Sequence, residues 1–114
     1  MAGMDDDVIT LALRIFDTAR EGRTDELAGF LDRGVPVDFT TPNGDTLLMV
    51  AAFNGHADTV QMLLDRGADH ARINKAGDSA LDTAVIEGQG AVMRVLLAAG
   101  ASPAPISGDE EGPG

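Results

Sequence analysis

The chain repeats itself with a period of about 33 residues, and this period constrains its fold more than any other feature. The stretch from Thr46 to Gly67 reads TLLMVAAFNGHADTVQMLLDRG, and at that offset it aligns with the stretch from Ser79 to Gly100, SALDTAVIEGQGAVMRVLLAAG. One step earlier, residues 13–34 keep fewer of the same positions. The residues that agree between the two later stretches include Ala51 and Ala84, Gly55 and Gly88, Leu63 and Leu96, Leu64 and Leu97, and Gly67 and Gly100. A fixed period of this length indicates a repeat protein in which each unit packs against its neighbours.

Each unit contains two short runs of apolar residues with helical spacing. In the central unit the first run covers residues 47–52, the second covers residues 60–64, and Gly55 separates them. This pattern predicts two helices joined by a tight turn. Thr46 and Ser79 precede the first runs of their units, where a hydroxyl caps a helix by accepting a backbone N–H bond. Only 4% of the residues are aromatic, so we expect a core of leucine, valine, alanine and methionine.

The segments between units have the composition of turns. Gly34, Gly67 and Gly100 each follow an apolar helical run, a position at which glycine commonly ends a helix. About eleven residues separate each of the first two glycines from the next capping hydroxyl, and prolines, asparagines and glycines are frequent among them. The sequence therefore predicts units of helix, tight turn and helix, followed by a projecting hairpin-like loop.

The pattern resembles the ankyrin repeats, a family with the same repeat period. In the central unit the resemblance rests on Gly44-Asp45-Thr46, Leu48, Ala51-Ala52, Asn54-Gly55-His56, Val60, Leu63-Leu64 and Gly67-Ala68-Asp69. In the last unit it rests on Gly77, Leu81, Ala84, Gly88, Leu96-Leu97 and Gly100-Ala101. The family's Thr-Pro-Leu-His motif reads Thr46-Leu47-Leu48-Met49 and Ser79-Ala80-Leu81-Asp82 here, so we expect a less rigid array.

The resemblance implies an all-α solenoid of helix-turn-helix units with projecting hairpin-like loops. We expect one ankyrin-repeat domain over residues 1–106, with units at about 8–40, 41–73 and 74–106. The acidic, Gly- and Pro-rich tail 107–114 is expected to be disordered. A long first helix from about Val8 to Arg20, preceded by three aspartates, is expected to close one end of the stack.

Composition excludes several functional classes. The formal net charge of −11 disfavours nucleic acid and anionic membranes as partners. The chain has no cysteine, so it offers no thiol nucleophile, disulfide or cysteine-ligated metal, and a cytoplasmic location is expected. No phosphate-binding loop or cluster with metal-ligand spacing appears, and His56 occupies a framework position of the family. We therefore predict no enzymatic activity, no catalytic residue, no cofactor and no metal.

The resemblance implies that a partner protein binds in the concave groove of loop tips and inner helices. We predict twelve binding residues, and they are Thr40, Asn43, Asp45, Ile73, Lys75 and Asp78 on the loops with Arg20, Glu21, Phe53, Asn54, Ile86 and Glu87 at the helix ends. Phe53 and Ile86 are candidate apolar anchors beside carboxylates, which would suit a partner with a basic and apolar surface. The alternative is that these two side chains only cover gaps between repeats.

Two functions and two oligomeric states stay open at this point. The chain is either a general protein-interaction module or an acidic inhibitor, of the immunity type, that blocks a basic enzyme or nucleic-acid-binding site. In the last unit Ala91, Val92, Ala98 and Ala99 replace the Asp58, Thr59, Asp65 and Arg66 of the central unit. Either residues 101–106 fold back over this helix or it forms a subunit contact, so we predict a monomer or a weak homodimer through the last helix.

Overall fold

Helices arranged in pairs make up the part of the chain that the structure describes. The structure is a computed structural model, and it describes the backbone of residues 2–102 and the side chains of residues 8–102. The helices in this range are α1 (Ala2–Arg20), α2 (Thr24–Asp32), α3 (Leu47–Phe53), α4 (Ala57–Asp65), α5 (Ala80–Ile86) and α6 (Gly90–Ala98). Between residues 2 and 102 the only extended pairing is an isolated bridge from Thr40 to Thr46, so the all-α prediction is confirmed.

The helices of the described range form two layers. The first helices of the pairs pack side by side, α1 on α3 and α3 on α5, while α2, α4 and α6 form the second layer in the same order. Within each pair the two helices also contact each other. This nearest-neighbour packing is the arrangement that the repeat period predicted. We call the exposed side of α1, α3 and α5, together with the loops that precede α3 and α5, the inner surface.

The core repeats from unit to unit because equivalent apolar positions face the same interior. Leu27, Leu63 and Leu96 are fully buried in the second layer, and Ala51 and Ala84 are fully buried in the first. Aromatic and isoleucine side chains contribute at the first unit, which composition had not led us to expect. They are Ile15, Phe16 and Phe30, and the Phe16 ring stacks on that of Phe39 with centroids 5.5 Å apart.

Capping hydroxyls begin α3 and α5, as predicted. Thr46 Oγ1 accepts a hydrogen bond from the backbone N–H of Met49, and Ser79 Oγ accepts one from that of Asp82. The Asp82 carboxylate in turn accepts from the backbone N–H of Ser79, at 2.9 Å. This reciprocal capping box explains a half-buried acid at a position that holds methionine in the central unit.

The first helix is longer than predicted. It begins at Ala2 rather than near Val8, because the three aspartates favour the amino-terminal turns and no proline interrupts them. It packs on its neighbours through Ile15 and Ala19, yet Val8 and Leu13 are 66% and 62% exposed. Helix α1 therefore covers the adjacent helices and leaves apolar side chains of its own uncovered.

The last helix differs in part from the prediction. Val92 does not replace a solvent-facing residue, because both Val92 and its equivalent Thr59 are buried within their units. Ala91, Ala98 and Ala99 are exposed as expected, and Leu97 beside them is 56% exposed. Ala101 is buried next to α6. Most of the segment expected to fold back, residues 103–106, and the tail 107–114 lie outside the described residues.

Candidate functional site

A recess of about 440 Å³ opens on the inner surface between α3 and α5. Its lining comes from both helices and from the two loops that precede them. Apolar side chains form part of the wall, and carboxylates, an amide pair and a hydroxyl form the remainder. The lining residues are Met49, Val50, Phe53 and Asn54 of the α3 segment, Thr83 and Ile86 of α5, and Asp45, Asn74 and Asp78 of the loops. We call this feature the α3–α5 recess.

The recess brings together five of the twelve predicted binding residues, namely Asp45, Phe53, Asn54, Asp78 and Ile86. Phe53 is the last residue of α3 and is 49% exposed, and Ile86 is the last residue of α5 and is 67% exposed. Side chains exposed to this extent leave much of their apolar area available to a partner, which favours the anchor interpretation over gap-filling. Their role in binding stays a prediction.

The other predicted residues lie on the inner surface or its edges but do not line the recess. Arg20 is the last residue of α1 and Glu21 follows it, and each is ion-paired with a neighbour, Asp17 and Arg23 respectively. Thr40 is half-buried in its bridge to Thr46. The remaining four are Asn43, Ile73 and Lys75, exposed on the loops, and Glu87, exposed directly after α5.

Four lining residues were missed by sequence reasoning: Met49, Val50, Asn74 and Thr83. Val50 and Thr83 occupy equivalent positions of successive units, and both are half-buried. That shared offset was a usable signal, because equivalent positions of stacked units lie side by side. Met49 carried no such signal, since it is only 3% exposed and touches the recess through that small remaining surface.

The two loops are held to each other by hydrogen bonds beside the recess. Asn74 Nδ2 donates to Asp45 Oδ1 at 2.9 Å, and Asn74 Oδ1 accepts from the backbone N–H of Asp78 at 3.0 Å. The backbone N–H of Lys75 also donates to the carbonyl of Asn43, at 2.9 Å. The amide of Asn74 therefore connects the two acidic residues and holds both loops at the recess.

Within the described part of the chain, the carboxylates of the recess form no ion pair with a cationic side chain. Among the side chains of residues 8–102, no ion pair includes Asp45 or Asp78. The lining contains no lysine, arginine or histidine. The recess therefore combines an apolar wall with uncompensated negative charge.

The ends of the first-layer helices are fixed by side chains of the following unit. His56 Nε2 bonds the backbone carbonyl of Arg20 at 2.7 Å, and Gln89 Nε2 donates to that of Phe53 at 3.0 Å. His56 and Gln89 are equivalent residues one repeat apart, so the same contact recurs at successive units. The predicted framework role of His56 is confirmed, and the contact from Gln89 holds the backbone that carries Phe53.

The described residues form neither a metal site nor a membrane-spanning helix. No group of histidine, aspartate or glutamate side chains among residues 8–102 is arranged to hold a metal ion. No helix in the described range is long and apolar enough to cross a membrane.

Comparison with known proteins decides the family. A family model for ankyrin repeats, in three copies, matches residues 15–105. The chain belongs to the ankyrin-repeat family. Ankyrin repeats are protein-interaction modules that bind other proteins, and their fold is generally a non-enzymatic scaffold. No curated protein has a matching sequence.

Many solved structures match this ankyrin array, among them the following two. The human ASB11 ankyrin repeat domain is 31% identical with a TM-score of 0.73, and the match covers 77% of this chain and 40% of that one. The second is a chain in the structure of the Bd0816 predatory endopeptidase from Bdellovibrio bacteriovorus in complex with immunity protein Bd3460. It is 27% identical with a TM-score of 0.74, and the match covers 77% of this chain and 46% of that one. This chain thus matches less than half of either relative.

Proposed function

We propose that the chain binds a partner protein through its inner surface, with Phe53 and Ile86 as the apolar anchors. The observation that carries this proposal is the pair of exposed apolar side chains at the ends of α3 and α5, on opposite walls of one recess. Binding energy in protein interfaces concentrates in a few large side chains that become desolvated. The two anchors are the largest apolar residues of the recess that water reaches extensively.

The rigidity of the surface supports this proposal. Phe53 and Ile86 are carried by helices, and the Phe53 carbonyl is held by Gln89 of the next unit. The loops are tied to each other by Asn74 and by the backbone bond from Lys75 to Asn43. A surface held in this way loses little conformational entropy when a partner binds, so more of the contact energy appears as affinity.

The remaining predicted residues surround the anchors. Asn43, Ile73 and Lys75 would contact the partner from the loops, and Glu21, Asn54 and Glu87 would contact it from the helix ends. The acidic members favour a partner whose apolar surface has basic flanks, since complementary charges raise the association rate and fix orientation. Nucleic acid does not fit a surface of this sign.

A second candidate function is an inhibitor of the immunity type that covers a basic site on an enzyme or nucleic-acid-binding protein. Two observations favour it. The net charge is −11, and one similar structure contains a chain from a complex of an endopeptidase with an immunity protein. In this alternative, electrostatic attraction rather than apolar anchoring would supply much of the affinity.

We further propose that the protein works in the cytoplasm as a monomer or a weak homodimer. The absence of cysteine is compatible with a reducing compartment. The exposed Leu97, together with Ala98 and Ala99, offers a small apolar surface on α6 for a second copy. A surface formed by so few side chains falls short of the roughly 800 Å² per partner of stable interfaces, so a dimer would be weak. Sedimentation velocity over a range of concentrations measures this directly.

The first test is capture of partners from native lysate, comparing the wild type with a Phe53→Ser, Ile86→Ser double variant. The control is Leu97→Ser, because this side chain is 56% exposed on α6 and lies in the second layer, outside the inner surface. Circular dichroism checks that all three proteins are folded. We expect a protein that binds the wild type and the control and is lost from the anchor variant. Equal recovery by all three would refute the inner-surface proposal.

The salt dependence of the affinity for the captured partner then distinguishes the two candidate functions. An interface with apolar anchors should lose only several-fold in affinity between about 0.05 M and 0.5 M salt. An acidic inhibitor of a basic protein should lose on the order of a hundredfold or more, since screening removes the attraction that drives association. Isothermal titration calorimetry at the two salt concentrations provides the comparison.

A further inference from the structure

The α3–α5 recess joins two features that one kind of side chain satisfies together. Asp45 and Asp78 supply negative charge without a cation among the lining residues, and Val50, Phe53 and Ile86 supply apolar wall. Lysine and arginine have an apolar stem that packs on such a wall and a cationic end that pairs with carboxylates. A purely apolar side chain would leave the charges uncompensated, and an acidic one would be repelled.

The acidic pair is held by the protein itself. Asn74 donates to Asp45 and accepts from the backbone of Asp78, so the two residues are connected before any ligand arrives. The two acids come from different loops, which the backbone bond between Lys75 and Asn43 also joins. The two carboxylates are therefore preorganised for a cation, and the loops that carry them need little rearrangement when it binds.

The end of α1, which is the first-layer neighbour of α3, shows that this arrangement is specific to the α3–α5 recess. At the end of α1, Arg20 takes the position of Phe53, and its guanidinium donates to Asp17. At that place the Asp17 carboxylate already has a cation from the chain itself, and no apolar side chain stands at the position equivalent to Phe53. Lys75, the cation nearest to the α3–α5 recess in sequence, is exposed and is not a lining residue.

We propose that the α3–α5 recess binds one lysine or arginine side chain of the partner, with its stem against Phe53 and Ile86 and its cation between Asp45 and Asp78. This inference rests on the proposed function, because it names the side chain that the inner surface takes from its partner. The recess volume of about 440 Å³ lies in the lower part of the range for small-ligand sites, which suits a side chain and its flanking backbone.

The test uses defined small probes and does not require the partner. The protein is labelled at methionine, valine and isoleucine methyl groups, so Met49, Val50 and Ile86 report from the lining. Nα-acetyl-lysine N-methylamide and its arginine counterpart are titrated at constant ionic strength, with the norleucine compound as the uncharged control that keeps the four-carbon stem of lysine. We expect the three methyl signals to shift with the two basic probes, with a Kd on the order of millimolar for fragments of this size.

Three variants test whether Asp45 and Asp78 are the carboxylates that bind the cation of the lysine probe. Asp45→Asn and Asp78→Asn should each weaken lysine-probe binding about fivefold, the factor for an exposed ion pair at the strong end of its range. Asp58→Asn is the matched control, because it removes one negative charge from the exposed first turn of α4 and does not line the recess. It should leave the affinity within about twofold, since exposed charges beyond contact distance are screened.

Two results would overturn the inference. Binding of the norleucine probe as tightly as the lysine probe would make the recess an apolar slot, and absence of shifts with both basic probes would show that it takes no basic side chain. Neither result decides whether the inner surface binds a protein, which the capture experiment with the anchor variant tests separately. Conversely, a failed capture with retained probe binding would remove the proposed function alone.

Discussion

The hydrogen bond from Gln89 to the backbone carbonyl of Phe53 connects the last unit to the end of α3, and we predict that it stabilises the array. Gly55 and Gly88 are equivalent turn residues with φ of +79° and +69°. A Cβ atom on Gly55 would lie 2.6 Å from Gln89 Oε1, while one on Gly88 would meet nothing within 4 Å. The two glycines therefore share their backbone requirement and differ in their surroundings, so Gly88→Ala is an internal control for Gly55→Ala.

The expected magnitudes follow from this difference. Placing alanine at positive φ costs about 1–2 kcal/mol, and the stiffer unfolded chain offsets about 0.4–1 kcal/mol of it. Gly88→Ala should therefore lower the free energy of unfolding by about 1 kcal/mol. Gly55→Ala also displaces the amide that donates to the Phe53 carbonyl, a bond of 3.0 Å worth about 0.5–1.5 kcal/mol. Its total cost should be about 2 kcal/mol.

Urea denaturation followed by circular dichroism measures the five proteins that are needed: the wild type, Gly55→Ala, Gln89→Ala, their double variant and the control Gly88→Ala. In the Gln89→Ala background the clash and the hydrogen bond are both absent, so Gly55→Ala should cost no more than Gly88→Ala does in the wild type. The double-mutant cycle should then give a coupling of about 1 kcal/mol between residues 55 and 89.

Two results would refute this reasoning. Equal costs for Gly55→Ala and Gly88→Ala in the wild-type background would show that the Gln89 contact adds nothing. An excess cost of Gly55→Ala that persists after Gln89→Ala would assign the strain to another neighbour. If the reasoning holds, methyl spectra of Gly55→Ala should also show displaced Ile86 and Val50 signals, because the end of α3 has lost its support beside the recess.

Three further predictions concern stability. Leu63→Ala, at a fully buried position, should cost about 2–5 kcal/mol in urea denaturation, whereas Leu97→Ala, 56% exposed, should cost about 0.5 kcal/mol or less. Thr59→Val should cost about 1 kcal/mol because it leaves Thr24 Oγ1 without its 2.7 Å partner, and adding Thr24→Val should recover most of this in thermal denaturation. Ser79→Ala removes the cap of α5 and should cost about 1 kcal/mol, and a neutral effect would show that the hydrogen bond is not stabilising.

Much of the fold was predictable because the signals that define it are local. Thr46 and Ser79 cap the helices that their positions predicted, and Gly34, Gly67 and Gly100 all have positive φ after helices. The start of α1 was misplaced because nothing in residues 2–7 forbids a helix and no apolar periodicity marks one there. The burial of Val92 was missed because solvent exposure was inferred from the polar character of Thr59, which is itself buried against Thr24.

The candidate site was predictable only in part. Phe53, Ile86 and the two aspartates could be found because repeat geometry places equivalent positions side by side. The role of Asn74 could not be found, since the equivalent residue one repeat earlier is Thr41 and the amide reaches across to the other loop. The absence of a cation beside the carboxylates also depends on where lysine and arginine side chains extend, which no local pattern encodes.

The period was determined by the sequence alone, because the same pattern recurs in it at a fixed offset. The capped starts of α3 and α5 were also determined by the sequence, because a helix cap depends on residues within a few positions of one another. Only the tertiary structure decided which repeated positions are covered. Ala52 and Val85 are equivalent in sequence, yet Ala52 is fully buried and Val85 is 56% exposed. The physical reason is that α3 packs between α1 and α5, whereas in the described part of the chain α5 has a first-layer neighbour on one side only. The recess likewise exists because two units meet there. Its lining combines side chains from both units, so neither unit alone could form it.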